Sequence, residues 1–155
     1  KNEFVISVSE SVKKILVEEE EIGLTDSKIY ETVSTKAEEY KKQLKKIVEE
    51  ERIKSGKLIG LGAPARGVVI LNYCNLGKEH LEYIIDDTPL KQGKVMPGTH
   101  IPITSWENLN EKDKEKTFIL LSWNYKEYML SKLKDYFPKA KVIIPFPKLE
   151  VISLG

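Results

Sequence analysis

Through the first third of the chain, apolar residues recur at helical spacing. Ile29, Val33, Tyr40, Leu44 and Ile47 form one stripe among densely charged neighbours. Gly23 and Leu24 interrupt this pattern, and Thr25, Asp26 and Ser27 supply oxygens suited to capping a new amino terminus. The spacing therefore predicts one helix over 10–22 and a longer one over 27–54, ending before Gly56. Beyond Gly56 the pattern changes. Short apolar runs at Lys57–Leu61, Leu81–Asp86, Thr117–Ser122, Val142–Pro145 and Leu149–Ile152, with a weak extended stretch near His100–Ile103, alternate with helical candidates over 64–75, 106–114 and 124–136. That alternation predicts an α/β domain around a mostly parallel sheet, preceded by two helices. One more strand-like run, Phe4–Val8, stands ahead of the helices without a neighbour, as expected of a chain cut from something larger.

Length and charge narrow the functional classes. A chain of 155 residues holds one ordinary domain with an appendage, not two catalytic domains. Lys plus Arg number 25 against 24 Asp plus Glu, a net charge of +1, so no global field favours nucleic acid or a membrane surface. Residues 10–57 hold 11 basic and 12 acidic side chains, spaced as in Glu38 with Lys42 and Lys45 with Glu49, which reads as a solvated helix face. No apolar run approaches the roughly 20 residues of a membrane span. The single cysteine, Cys74, forms no internal disulfide, and no signal peptide opens the sequence, so a cytoplasmic location is expected. Only two of the 25 basic residues, Arg52 and Arg66, are arginines.

Three junctions carry candidate chemistry. Gly60-Leu61-Gly62-Ala63-Pro64-Ala65-Arg66-Gly67 joins a strand to a helix, with Gly60 and Gly62 as the first two glycines of a G-x-G-x-x-A fingerprint and Ala65 at its close helix–strand contact. Pro64 suits the first helical turn, and the neighbouring N–H groups would face a ligand in the crevice. Asp86 ends the next apolar run 24 positions beyond Gly62, near where a dinucleotide fold places its ribose-binding acid. Any doubly wound sheet, however, needs a tight first turn and a polar residue after its second strand. A polar loop follows from Asp86 to Ile103, with Lys91, Thr99 and His100 as donors, either facing a ligand or bracing the loop. At the third junction, Ser122-Trp123-Asn124-Tyr125, Trp123 offers a stacking surface and Asn124 an amide, or else a core aromatic and a helix cap. The spacing shows no metal-ligand cluster and no nucleophile–His–acid arrangement.

These segments together resemble a known family. Gly62-Ala63-Pro64-Ala65-Arg66-Gly67, Leu71-Asn72-Tyr73-Cys74, Asp86, Lys91-Gln92-Gly93, Pro97 through Pro102, Ser122-Trp123-Asn124 and Ile144-Pro145-Phe146-Pro147 are similar to the carboxy-terminal domain of S-adenosylmethionine-dependent sugar C-methyltransferases. Ser11-Val12 and Glu20 through Leu24 resemble the family's helical lead-in. The resemblance implies a Rossmann-like three-layer sandwich over 57–155, a helical lead-in over 9–56, and residues 1–8 as the trailing strand of a preceding methyltransferase domain. It also implies a nucleotide-diphosphate sugar as substrate, held by Gly60, Gly62, Ala63, Pro64, Ala65, Arg66, Asp86, Lys91, His100, Trp123 and Asn124, with no catalytic residue and no metal in this chain. S-adenosylmethionine is implied for the full-length enzyme and is not expected to bind here; the methyl donor would sit on a methyltransferase domain in cis or trans. Arg66 stands where the family more often has Lys, which keeps the charge and changes the donor geometry. Two other readings stay open: a stand-alone nucleotide- or dinucleotide-binding module, and a non-catalytic scaffold that forms homo-oligomers or partner contacts through its helices.

Overall fold

A computed structural model describes residues 8–155. The strand expected at Phe4–Val8 lies outside the described residues except for Val8, which is exposed and belongs to no element. Both leading helices form where the sequence pattern places them. Helix α1 spans Glu10–Ile22; the Ser9 hydroxyl accepts from the Val12 N–H at its start, and Gly23, at φ 78°, closes its end. Helix α2 spans Ser27–Ser55, with Asp26 accepting from the Lys28 N–H at 2.9 Å.

The chain divides into two compact units within α2, one ending at Tyr40 and the other running from Lys41 to Gly155. In the first unit α1 buries no residue, and Val12, Ile15, Leu16 and Ile22 stand exposed.

The second unit is a Rossmann-like three-layer sandwich. Its six strands are β1 (Leu58–Leu61), β2 (Leu81–Ile85), β3 (Ile103–Thr104), β4 (Thr117–Leu120), β5 (Lys141–Ile144) and β6 (Glu150–Ser153), in the order β3-β2-β1-β4-β5-β6. All neighbours are parallel except β5 and β6. β1 and β4 are buried along their whole length, as their unbroken apolar runs require of central parallel strands. Helix α3 (Ala65–Tyr73) connects β1 to β2, and α4 (Lys126–Tyr136) connects β4 to β5. The two crossovers lead away from β1 and β4 in opposite directions, so their right-handedness puts α3 and α4 on opposite faces. Met129, Leu133 and Phe137 pack with Ile59, Leu61, Phe118 and Leu120 in one core. On the other face, Gly67 of α3 lies so close to Leu121 and Met96 that an added Cβ would stand 3.1 and 3.2 Å from them.

The helix expected over 106–114 is instead a pair of 3-10 turns, Trp106–Asn108 and Glu111–Asp113. Leu109 between them is extended, at ψ 137°. Asn110 starts the second turn with a reciprocal cap, accepting from the Lys112 N–H while its own N–H donates to Asp113. The Asn110 side chain, which takes the Lys112 N–H and donates to the Asn108 carbonyl, breaks what periodicity alone reads as one helix.

The last turns of α2 are fastened to the amino edge of the sheet by a buried charge. The Glu51 carboxylate accepts from Thr117 Oγ1 at 3.0 Å, and Lys141 Nζ lies 2.8 Å away; these residues open β4 and β5. Lys54 Nζ adds a contact at 3.0 Å. Burial alone would push this carboxyl up, but Lys141, Lys54 and Thr117 together hold it below its usual value. His80 makes a second tie, with Nε2 2.9 Å from Glu49 and Nδ1 accepting from the Gly77 N–H. Glu51→Ala leaves Thr117 and Lys141 without their shared acceptor and is expected to cost about 1–3 kcal/mol in urea unfolding at neutral pH. An unchanged midpoint would show that α2 is not held through this charge.

Candidate functional site

The strand order reverses between β1 and β4, and at the carboxyl ends of these two strands a crevice opens where doubly wound sheets hold ligands. Gly62 and Ser122 face each other across it. Gly62 sits at φ 82°, and a Cβ there would lie 2.4 Å from Ser122 Oγ, so both the backbone angle and the space demand glycine. The Gly62 N–H donates to the Ile85 carbonyl at 2.7 Å, and Ser122 Oγ donates back to the Leu61 carbonyl at 3.2 Å. Gly60 is crowded as well, since an added Cβ would lie 2.7 Å from Ile84 Cγ1. Packing within the chain thus accounts for both glycines of the fingerprint.

Asp86 ends β2 and turns back into the chain. Its Oδ2 accepts from the Ala63 N–H at 2.7 Å and lies 3.1 Å from Lys91 Nζ, and its Oδ1 accepts from the Thr88 N–H at 2.9 Å. Burial would raise this carboxyl, but the Ala63 and Thr88 N–H groups and Lys91 outweigh it and keep the group ionised below the ordinary carboxylate range. The N–H groups of Gly62 and Ala63 are therefore spent on Ile85 and Asp86, while those at the start of α3, beginning with Ala65, have no partner within the helix. Pro64, without an N–H, is the extended residue just before α3 rather than part of its first turn.

Around this turn lies a cavity of about 430 Å³, lined by Gly62, Pro64, Asp86, Asp87, Thr88, Lys91, Ser122, Tyr125, Tyr128 and Met129. Its volume is in the range of small-molecule sites. A smaller recess of about 140 Å³ shares Pro64 and Tyr125 with it and adds Arg66, Leu121, Trp123 and Asn124. Here Arg66 Nη1 donates to Asn124 Oδ1 at 2.8 Å, and its guanidinium stands 6.0 Å from the Trp123 ring, which packs on Phe146 at 5.6 Å. Asn124 therefore orients Arg66 instead of capping a helix, and Trp123 is half-buried between the Arg66 guanidinium and Phe146.

Most of the residues expected to line one cleft do gather here: Gly62, Ala63, Pro64, Arg66, Asp86, Lys91, Trp123 and Asn124. Gly60 lies beneath them, buried in β1. Ala65 is exposed, and the close helix–strand contact assigned to it belongs to Gly67. His100 is carried elsewhere. Residues 93–96 pair back against 101–103, and the tip of this hairpin, with His100 at φ 56°, borders Asn72 in the last turn of α3 and Asn75 and Lys78 beyond its end. Tyr125 and Tyr128, outside the expected set, are 69% and 53% exposed beside the crevice. Also outside that set is Lys132, whose ammonium pairs with Asp87, contacts Tyr128 Oη at 3.4 Å and stands 4.9 Å from the Trp106 ring. The i, i+3 and i+7 spacing of 125, 128 and 132 marks one helical face, but which face it is depends on the sheet beneath.

Residues 2–147 match the family described as the C-methyltransferase C-terminal domain. The chain belongs to this family. It is 31% identical over 147 residues to C-methyltransferase NovU of Streptomyces niveus, a match covering 94% of this chain and 35% of the relative. The C-methyltransferase domain thus spans about a third of the length of the curated relative it matches.

Membership implies S-adenosylmethionine for a full-length enzyme. The residues of this domain do not fit that group. Both oxygens of the acid that would take the ribose hydroxyls are engaged within the chain, and the second glycine faces a serine side chain instead of open space. Among the described residues no three His, Cys, Asp or Glu side chains converge as metal ligands, and no helix is long and apolar enough to cross a membrane.

The Asp86 contacts have a pH signature. A carboxyl with a lowered folded pKa contributes stability that is present above its unfolded value of about 3.9 and is lost as pH falls through the folded one. Asp86→Asn should therefore cost about 1–3 kcal/mol at pH 7, with the gap to the parent closing as pH falls from the unfolded value through the lowered folded one. Denaturant midpoints across this range check it; a gap independent of pH would mean that the ionised carboxylate is not what holds the turn.

Proposed function

We propose that this domain is the substrate-side part of a C-methyltransferase acting on a nucleotide-linked deoxysugar. It grips the nucleotide diphosphate while a methyltransferase domain, in cis or trans, binds S-adenosylmethionine and supplies the methyl group. The observation that carries this reading is the crevice at the β1–β4 switch point, where Lys91, Arg66, Tyr125, Tyr128 and Trp123 surround a glycine turn that is already satisfied internally. Cations suit a diphosphate and exposed rings suit a base or a sugar face. C-methylation next to a carbonyl requires loss of a proton from the carbon and attack of that carbon on an electrophilic methyl group. Holding the remote nucleotide fixes the reacting carbon in line, so binding energy far from the reaction is used for orientation. A cytoplasmic location belongs to the same proposal, since the buried Cys74 thiol suits a reducing compartment.

The engaged Asp86 counts against a stand-alone dinucleotide module, because a ribose would have to displace the Ala63 and Thr88 N–H groups from it. The scaffold reading draws support from the exposed apolar residues of α1, and it concerns a different surface from the crevice.

Calorimetric titration of the domain with a deoxythymidine-diphosphate sugar, NAD and S-adenosylmethionine tests the proposal. The sugar nucleotide alone should bind, and Arg66→Ala and Tyr125→Ala should each weaken it by about tenfold, or about 1.4 kcal/mol. Selective NAD binding would favour the dinucleotide module, and no binding by any of the three would favour the scaffold.

A further inference from the structure

Overall charge balance hides a segregated lead-in. Residues 8–40 hold nine acidic and four basic side chains, a net of −5. The same segment leaves its apolar face uncovered. Val12, Ile15, Leu16 and Ile22 of α1 are 45–64% exposed, and no residue of that helix is buried. Between the end of α1 and the start of α2 lies a cavity of about 590 Å³ lined by Leu16, Leu24 and Tyr30, with Glu19 and Glu20 on its wall. The Tyr30 hydroxyl donates to the Leu24 carbonyl at 3.0 Å and fixes one side of it. An apolar recess walled by carboxylates accepts an apolar anchor flanked by cations, the usual make-up of an interface centre.

We infer that this face docks the methyltransferase portion of the enzyme, through an apolar patch rimmed by Lys or Arg; the inference rests on the proposed function above. Two observations select this occupant. The match covers only 35% of the curated relative, and the family is described as a C-terminal domain, so the larger part of such a protein lies ahead of this region in sequence, on the side of the helical lead-in. A second copy of the chain would bring a like-charged segment of −5 against this one, which opposes self-association through the same face.

The experiment joins this chain to the part of the Streptomyces niveus relative outside the match, replacing that protein's own matching region, and compares hydrogen exchange with the chain alone. A covalent link supplies a high effective concentration, so moderate divergence at the interface does not abolish docking. Exchange across residues 12–30 is expected to slow at least tenfold in the fusion. Leu16→Asp should remove the protection without changing helicity by circular dichroism. Glu20→Lys, which leaves the apolar face intact, should reduce the protection and its sensitivity to salt. Equal exchange in fusion and isolated chain overturns the inference. So does a dimer of the isolated chain in sedimentation that Leu16→Asp disperses, since a second copy would then be the occupant. Titrating the fusion with the sugar nucleotide separates the two proposals: docking without nucleotide binding removes the functional reading and keeps this one, and binding without slowed exchange does the reverse.

Discussion

The Asp86 carboxylate ties two segments that are distant in sequence: the turn after β1 through the Ala63 N–H, and the loop after β2 through the Thr88 N–H and the Lys91 side chain. In a nucleotide-binding turn the first free N–H groups meet a ligand phosphate. Here an internal carboxylate takes that place at Ala63, and the Ile85 carbonyl takes the Gly62 N–H. The consequence reaches the whole crevice. With the turn satisfied from within, the cations at the crevice are Arg66 and Lys91, the latter shared with Asp86, and Tyr125, Tyr128 and Trp123 add aromatic walls. The fold keeps the position of a dinucleotide site while changing what that position can recognise.

Much of this was legible in the order of apolar runs. Central parallel strands must be continuous and apolar, so β1 and β4 announced themselves, and the capping oxygens at 25–27 set the start of α2. The two 3-10 turns were not legible, because a pattern of apolar spacing does not register that Asn110 and Asp113 cap each other's backbone. Nothing in the local sequence marks His80 as structural, yet it is 3% exposed and bonded to Glu49, a pairing across 31 positions that no local window contains.

The candidate site divides along the same line. Gly62, Asp86, Lys91, Arg66, Trp123 and Asn124 were found because each sits at a strand end, and strand ends in this topology share one edge. His100 was grouped with them because it follows the same loop, but pairing of 93–96 with 101–103 turns that loop into a hairpin and takes its tip away from the crevice. Lys91 lies before the hairpin and stays; His100 lies at its tip and leaves. The glycine fingerprint itself was read from spacing, and spacing does not distinguish a glycine that admits a phosphate from one that admits Ser122.

Arg66 shows how the pieces act together. Alone on the first turn of α3 it would be a mobile surface cation, and holding such a chain in one geometry costs side-chain entropy. Asn124 accepts one of its N–H groups and Trp123 lies beside its plane, while Phe146 supports Trp123 from behind. Three different crossings of the sheet thus position one guanidinium. Arginine suits such a seat better than lysine, because its planar fork can keep one donor on Asn124 and still present others to a phosphate. A lysine there would have a single nitrogen to divide between the two. Arginine at this position therefore suits the amide partner beside it, and the pair Arg66–Asn124, more than either residue alone, is the unit that the proposed recognition in the smaller recess would use.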